Sequence, residues 1–429
     1  MNLREDWQFR GLVHQTTDDT VLERLSAGGL TGYIGFDPTA PSLHLGSLMQ
    51  ICLLRRLQLA GNRPIALAGG GTGLIGDPSF KDAERPLLDA ERLAANVEGI
   101  REQLSQFLDF SASAGASKAL LVNNADWLTT ISLTDFLRDV GKHFTVNQMI
   151  AKEAVRSRLE RDDVGLSFTE FSYMLLQAYD FLRLHQDYDC TLQLGGSDQW
   201  GNIVTGVELV RKVTGHSVHA ITSPLLVNAD GKKMGKSEGT TQRVWLDATM
   251  TSPFAMHQFL LNTDDASTPS RLRCFTFLSH DEIRELDESI KSAPQERRAQ
   301  RALADAVVSF IHGEAAARAA QRAGDALFSE TIDELDEATL LAVMGDAPSS
   351  TWSREELGDG VSATEMLVRC GLAKSRGEAR RFVEQGGVYV NNRRLASDPE
   401  ATIDLSRALH DRYLVLRRGR HELHLVVAG

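Results

Sequence analysis

Cysteine is scarce in this chain, with four residues in 429 (Cys52, Cys190, Cys274, Cys370). None forms Cys-x-x-Cys, and no histidine stands near one at zinc spacing. A disulfide-stapled fold and a cysteine-based structural metal are therefore not expected, and the usage points to a reducing compartment. No run of about 18 apolar residues occurs, so no membrane-spanning helix is expected. Residues 1–10 are charged and lack an apolar core, so no secretory leader is expected. Internal repeats and low-complexity tracts are missing too, which removes solenoids and biased scaffolds. Positive charge is in deficit, with 46 Lys+Arg against 58 Asp+Glu and a net charge of −12. Taken alone, that argues against a nucleic-acid partner.

The deficit is uneven. Residues 361–429 hold 12 Lys+Arg against 8 Asp+Glu, a balance of +4, which leaves −16 for residues 1–360. A basic tail on an acidic body suggests a module with its own anionic partner, although so short a stretch can reach that balance by chance. The length suits two to four domains. Between residue 30 and about 227, short apolar runs alternate with helical patterns. Tyr33–Phe36, Ile65–Ala68, Ala119–Val122 and Thr191–Leu194 read as strands; 47–60, 87–108, 133–157, 168–185 and 202–213 read as helices. The expected class is α/β: a doubly wound parallel sheet with ligands beyond the carboxyl ends of its strands. Residues 253–328 read as helices only. Residues 345–360 are rich in Gly, Pro, Ser and Asp and read as a linker. From Val361 a compact α+β module begins with two short helices and a strand-turn at Gly386–Asn392.

Three glycine segments compete as phosphate sites. Gly71-Thr72-Gly73-Leu74-Ile75-Gly76 matches the dinucleotide fingerprint literally. The second strand that fingerprint needs should end in an acidic residue, but the next strand here ends in Asn123-Asn124. Gly231-x-x-x-Gly235-Lys236-Ser237 has three residues between its glycines where a P-loop needs four, and Glu238-Gly239-Thr240-Thr241 is a poor helix start. Its Lys232, Lys233 and Lys236 could still close over phosphates, or form a solvated basic loop. His44-Leu45-Gly46-Ser47 follows the rigid turn Asp37-Pro38-Thr39-Ala40-Pro41 and opens a helix, whose N–H groups and dipole favour an anion. His44 alone reads as a capping or core histidine, or as a donor to a phosphate. Together, a helix-opening histidine and a lysine loop in this order form the two halves of a grip on ATP suited to transfer of AMP. Tyr173, Gln177 and Asp180 recur at i, i+4 and i+7 on one helix face. Such a polar stripe lines a pocket or faces solvent.

On these motifs the chain resembles the bacterial-type tyrosyl-tRNA synthetases of class I. The likeness runs over nearly the whole length. Its most specific stretches are Tyr33–Thr39, Thr72–Pro78, Phe168–Tyr173 and Gly195–Asn202, with the His44 segment similar to the HIGH motif and the lysine loop similar to KMSKS. The resemblance implies a Rossmann-like catalytic domain with a dimer-interface insertion (1–227), a lysine loop and α-helical anticodon-binding domain (228–344), a linker (345–360) and a small RNA-binding domain (361–429).

It also implies roles. Tyr33 and Asp180 would hold the phenol of tyrosine; Asp77, Tyr173 and Gln177 its ammonium; Gln199 its carboxylate. Asp37, His44, Gly46, Ser47, Gly196, Asp198, Lys233, Met234, Lys236 and Ser237 would contact ATP, with Asp198 on the ribose. Thr39, His44, Lys81, Arg85, Lys233 and Lys236 would position and stabilise charge on the leaving pyrophosphate. Lys81 and Arg85 could equally be a plain surface pair. ATP would arrive with Mg²⁺ and no dedicated protein metal site. Lys374, Arg376, Arg380, Arg381, Arg393 and Arg394 would meet tRNA(Tyr) through phosphate contacts. A cytoplasmic homodimer joined near residues 126–165 is implied. Pockets of this family that bond the phenol reject phenylalanine by roughly five orders of magnitude without editing, a figure that belongs to the family and not to a reading of these residues.

One position departs. Family members usually carry histidine where this chain has Ser47. A serine can cap the helix but is shorter, so the resemblance implies an altered rate, ATP affinity or sensitivity to adenylate-mimicking inhibitors. The rivals are a catalytically silent RNA-binding homologue, a tryptophan-specific relative and a dinucleotide oxidoreductase.

Overall fold

The computed structural model describes residues 2–77, 89–152, 155–156, 159, 165–226, 243–327, 330–345, 347–419 and 422–429. The chain forms two compact units, residues 1–251 with 263–311 and residues 252–262 with 312–429.

The first unit is built on a six-stranded sheet. Its strands are β1 (Gln15–Thr16), β2 (Thr31–Phe36), β3 (Arg63–Ala68), β4 (Leu120–Asn123), β5 (Leu192–Gly196) and β6 (His219–Ser223), in the spatial order β1-β6-β5-β2-β3-β4. β2 to β6 run parallel and β1 adds an antiparallel edge. β3 is buried beyond its first residue, which is why its sequence reads as a continuous apolar run. The chain builds outward from β2 through β3 to β4, then returns to lay β5 and β6 on the other side of β2. That reversal leaves a crevice at the carboxyl ends of β2 and β5, where an open α/β sheet binds ligands.

The expected strands all form. The 133–157 helix does not form as one piece: the described residues show Leu133–Asp139, a short turn at Gly141–His143 and Val146–Ile150. Ser132 and Thr145 each accept a backbone N–H and start a new helix, Thr145 with a full capping box from Gln148. The helices Leu3–Arg10 and Thr20–Ala27 and strand β6 were not anticipated.

In the second unit a five-stranded sheet joins β7 (Ser349–Trp352), β9 (Val388–Val390), β10 (Arg393–Arg394), β12 (Tyr413–Arg418) and β13 (Glu422–Ala428) in the order β10-β9-β12-β13-β7. β8 (Val361–Ser362) pairs with β11 (Thr402–Ile403). The expected linker over 345–360 is corrected here. β7 lies in it and pairs parallel with β13, and the helix Arg354–Gly358 follows. Trp352 and Leu357 are buried in the same core as Met366, Leu367 and Val426. Polar composition concealed two apolar anchors that cover the edge of β13. The all-helical stretch also divides between the units: Thr268–Phe275 and His280–Ser292 belong to the first, Pro253–Leu261 and Glu314–Leu327 to the second.

The helix Leu45–Leu59, which carries the first ATP-like motif, is fixed from behind by a buried charge cluster. Arg56 is fully buried and lies 3.4 Å from Asp6, which also takes a 2.6 Å hydrogen bond from Arg10. Arg10 and Arg56 donate to the carbonyls of Thr276, Arg273 and Leu278 around the end of the Thr268–Phe275 helix, the negative end of its dipole. Arg56 stacks on Phe277 at 4.3 Å. Burial alone would raise the Asp6 carboxyl, but the Arg10 hydrogen bond, the Arg56 charge and His280 outweigh it and hold it below its ordinary value. A lowered carboxyl stabilises the fold above about pH 4 and loses that contribution as pH falls through its depressed pKa. Asp6→Ala leaves two guanidiniums buried without their carboxylate and should cost about 3–5 kcal/mol. Urea denaturation at pH 7.5 and pH 3 checks it: a large loss at the higher pH and a smaller one at the lower pH are expected.

Candidate active site

At the crevice lies a cavity of about 350 Å³, walled by the carboxyl halves of β2 (Tyr33–Phe36) and β5 (Gln193–Gly196). The start of the Leu45–Leu59 helix and the polar stripe of the Phe168–Tyr188 helix close it. Every sequence-predicted catalytic, tyrosine-contacting or ATP-contacting residue among the described residues lines this one cavity: Tyr33, Asp37, Thr39, His44, Gly46, Ser47, Asp77, Tyr173, Gln177, Asp180, Gly196, Asp198 and Gln199. Lys81, Arg85, Lys233, Met234, Lys236 and Ser237 lie outside the described residues. The stripe Tyr173–Gln177–Asp180 thus faces the pocket, not solvent.

The deep end is a carboxylate in an apolar wall. Asp180 is 2% exposed. Asn124 Nδ2 donates to its Oδ2 at 2.9 Å and Trp127 Nε1 to its Oδ1 at 2.8 Å. Burial pushes its carboxyl up to about 7, against the pull of those two donors. Tyr33 stands beside it, its ring edge-on to Phe181 at 5.3 Å. The Tyr33 hydroxyl is buried without a hydrogen-bond partner among the described residues. Burial and the neighbouring Asp180 charge keep that phenol firmly protonated, so it can donate its own O–H and accept one through its oxygen. An unpaired buried hydroxyl costs roughly 1–3 kcal/mol and marks a place where a ligand atom belongs.

Further out the polar groups are linked. Gln199 Nε2 donates to Asp77 at 2.8 Å, and Asn202 donates to Gln177 at 3.0 Å and to Gln199 at 3.4 Å. Tyr173 is buried and shares a hydrogen bond with Thr72; burial first, then Asp37, Asp77 and Asp180, push its phenol well above the ordinary range. A carboxylate, Asp77, among these neutral polar groups suits a cationic group.

At the open end His44 is the helix cap. Its Nδ1 accepts the Gly46 N–H at 3.0 Å, which places the proton of the neutral ring on Nε2 as a donor. Ser47 does not cap the helix; its own N–H bonds the His44 carbonyl at 2.8 Å. A Cβ on Gly196 would sit 2.6 Å from the Asp198 carboxylate, so glycine there lets that carboxylate lie against the strand end. The lysine loop itself is not described, but its flanks are. Leu225 and Leu226 line the cavity before it, and after it Val244 and Trp245 pair with Leu45 and His44.

Sequence reasoning missed Asn124 and Trp127, which orient Asp180, and Thr72, Gln50 and Gln193 in the walls. Asn124 was legible in principle, since it follows the carboxyl end of β4 where this fold places ligands. Trp127 gave no signal.

In the tail, Lys374, Arg376, Arg380 and Arg381 are exposed on or beside the Arg376–Glu384 helix. Arg393 pairs with Asp333 at 2.9 Å. Arg394 donates to the Gly386 and Gln385 carbonyls and closes that helix's end, so much of its guanidinium is spent inside the module.

Comparison with known proteins follows the same division. The profile described as tRNA synthetases class I (W and Y) matches residues 26–329, and that described as the tyrosine–tRNA ligase SYY-like C-terminal domain matches residues 341–426. A tyrosine–tRNA ligase of Roseiflexus castenholzii is 50% identical over 425 residues, 98% of each chain. One of Geobacillus stearothermophilus is 48% identical over 428 residues, 99% of each. Among solved structures, a C-terminally truncated mitochondrial tyrosyl-tRNA synthetase of Aspergillus nidulans has a TM-score of 0.67 and 32% identity, covering 76% of this chain and 94% of that one. The chain belongs to the class I tRNA synthetases of the W and Y group, and it carries the C-terminal domain of the tyrosine branch.

Proposed function

We propose that the chain activates L-tyrosine with ATP to tyrosyl-adenylate and passes the tyrosyl group to the 3′-terminal ribose of tRNA(Tyr). The observation that carries this reading is the deep end of the cavity, where a buried, unpartnered Tyr33 hydroxyl faces a buried Asp180 carboxyl. A phenol completes both: its O–H donates to Asp180 while its oxygen accepts from Tyr33. An indole offers one N–H and no acceptor, which disfavours the tryptophan branch.

The mechanism needs no enzyme nucleophile. The tyrosine carboxylate attacks the α-phosphorus of ATP, the bond to the β-phosphate oxygen breaks, and pyrophosphate leaves. A ribose hydroxyl of the tRNA then attacks the acyl carbon and AMP leaves, the hydroxyl proton passing to solvent or phosphate. Asp77, Tyr173 and Gln177 hold the ammonium, and Gln199 the carboxylate. His44 Nε2–H, Thr39 and the helix N-terminus meet phosphate, while Asp198 takes ribose hydroxyls. ATP enters as its Mg²⁺ complex. Lys81, Arg85, Lys233 and Lys236 neutralise the leaving pyrophosphate; the flank before the lysine loop lines the cavity and the flank after it pairs with His44, which supports that role for the last two.

Lys374, Arg376 and Arg381 form the core of the proposed tRNA contact in the tail. We also assign a homodimer. Leu133, Leu137, Val146, Ile150, Leu159 and Phe168 are large apolar residues exposed within one stretch of chain, Phe168 by 77% and Leu133 by 73%; a second copy of that surface would cover them. A cytoplasmic setting suits four free, buried cysteines.

Ionised Asp180 is a much stronger acceptor for the phenol O–H than the neutral acid. Pyrophosphate exchange with tyrosine should therefore show KM for tyrosine rising as pH falls through about 7, and Asp180→Asn should remove that pH dependence together with about 100-fold or more of kcat/KM. An unchanged KM from pH 8 to pH 6 would count against the phenol site. Leu133→Glu with Phe168→Glu should convert the dimer to monomer in sedimentation velocity. Ser47→His should change turnover, ATP KM or the affinity of an adenylate mimic; if all three stay put, Ser47 has no part in the nucleotide grip.

A further inference from the structure

A pair of histidines lies away from the cavity, at the opposite end of the strands. His185 sits in the last turn of the Phe168–Tyr188 helix, and His216 in the loop before β6. Their ring nitrogens face each other, His185 Nε2 to His216 Nδ1, at 2.9 Å, with the rings 78° apart. The other nitrogen of His185, Nδ1, lies 2.9 Å from the Cys190 carbonyl. Only a ring N–H can bond a carbonyl, so Nδ1 carries the proton and Nε2 presents a lone pair toward His216. An imidazole whose far N–H is held by a backbone carbonyl while its bare nitrogen points outward has the orientation seen in metal ligands.

We propose that His185 Nε2 and His216 Nδ1 form a binding site for a late first-row divalent metal ion, zinc first among them. Imidazole nitrogen suits these ions and is a poor ligand for Mg²⁺ or Ca²⁺. Two nitrogens on one tetrahedral zinc, each at about 2.0–2.1 Å, stand roughly 3.3 Å apart, so the rings must separate by a few tenths of an ångström and turn both lone pairs off their shared hydrogen-bond line toward the ion. To bind, His216 moves its proton from Nδ1 to Nε2, which its exposure to solvent permits. Among the described residues no third histidine, cysteine or carboxylate joins the pair, so water fills the remaining positions. The ion would clamp the end of the helix that carries Tyr173, Gln177 and Asp180 to the loop entering β6. It would act on stability, and the chemistry of the cavity does not depend on it.

The test is equilibrium dialysis of the full, tag-free chain against Zn²⁺ alone at pH 7.5, beside thermal denaturation with and without the ion. One saturable Zn²⁺ per chain and a raised Tm are expected. His216→Gln, a change at an exposed loop position, should weaken that binding at least about 10-fold and abolish the Tm shift, and His185→Gln should do the same. Tyrosine-dependent pyrophosphate exchange of His216→Gln should stay at the parent level, which separates this site from the proposed activity. Absence of saturable zinc binding, or equal binding by the parent and His216→Gln, would overturn the proposal.

Discussion

A carboxylate sealed in an apolar wall is expensive, and the first unit is organised around keeping one there. Asp180 has two donors, Asn124 from the end of β4 and Trp127 from the segment after it, and both come from the sheet's far side. They hold the carboxyl's orientation without cancelling the cost of its burial, so it remains a strong acceptor for one more O–H. The return of the chain to β5 beside β2 places that acceptor opposite Tyr33. In the proposed function, a phenol completes this unfinished hydrogen-bond set, and a benzene ring leaves it unfinished.

The other end of the cavity works on a different principle. Its parts are backbone and helix terminus: a capped helix start at His44, a glycine strand end at Gly196, and a basic loop whose leading flank lines the cavity and whose trailing flank pairs with His44. Reaction in such a place requires alignment of two substrates and charge stabilisation, with no side-chain nucleophile. Behind it the Asp6–Arg10–Arg56 cluster fixes the helix that presents His44, so a stability element and a site element share one helix.

Much of this was legible in the residues. The four parallel strands β2, β3, β4 and β5 announce themselves as short apolar runs, and the i, i+4, i+7 stripe of Tyr173, Gln177 and Asp180 announces a wet helix face. What could not be read was whatever depends on contacts distant in sequence. Trp127 looks like any core tryptophan until it is seen to donate to a residue 53 positions away. Arg394 reads as a phosphate contact, and only the fold shows that its guanidinium, still exposed, also bonds the carbonyls at a helix end. The stretch at 345–360 looks like a linker because its polar residues outnumber Trp352 and Leu357, yet those two bury and recruit β7 into the sheet. Local composition weighs residues equally, whereas packing does not.

Pyrophosphate exchange measured with each amino acid in turn tests the central claim most directly. Rapid exchange with tyrosine and none with phenylalanine or tryptophan is the predicted result. Tyrosine bound tightly but with no exchange at saturating ATP would contradict it and leave a silent RNA-binding homologue in its place.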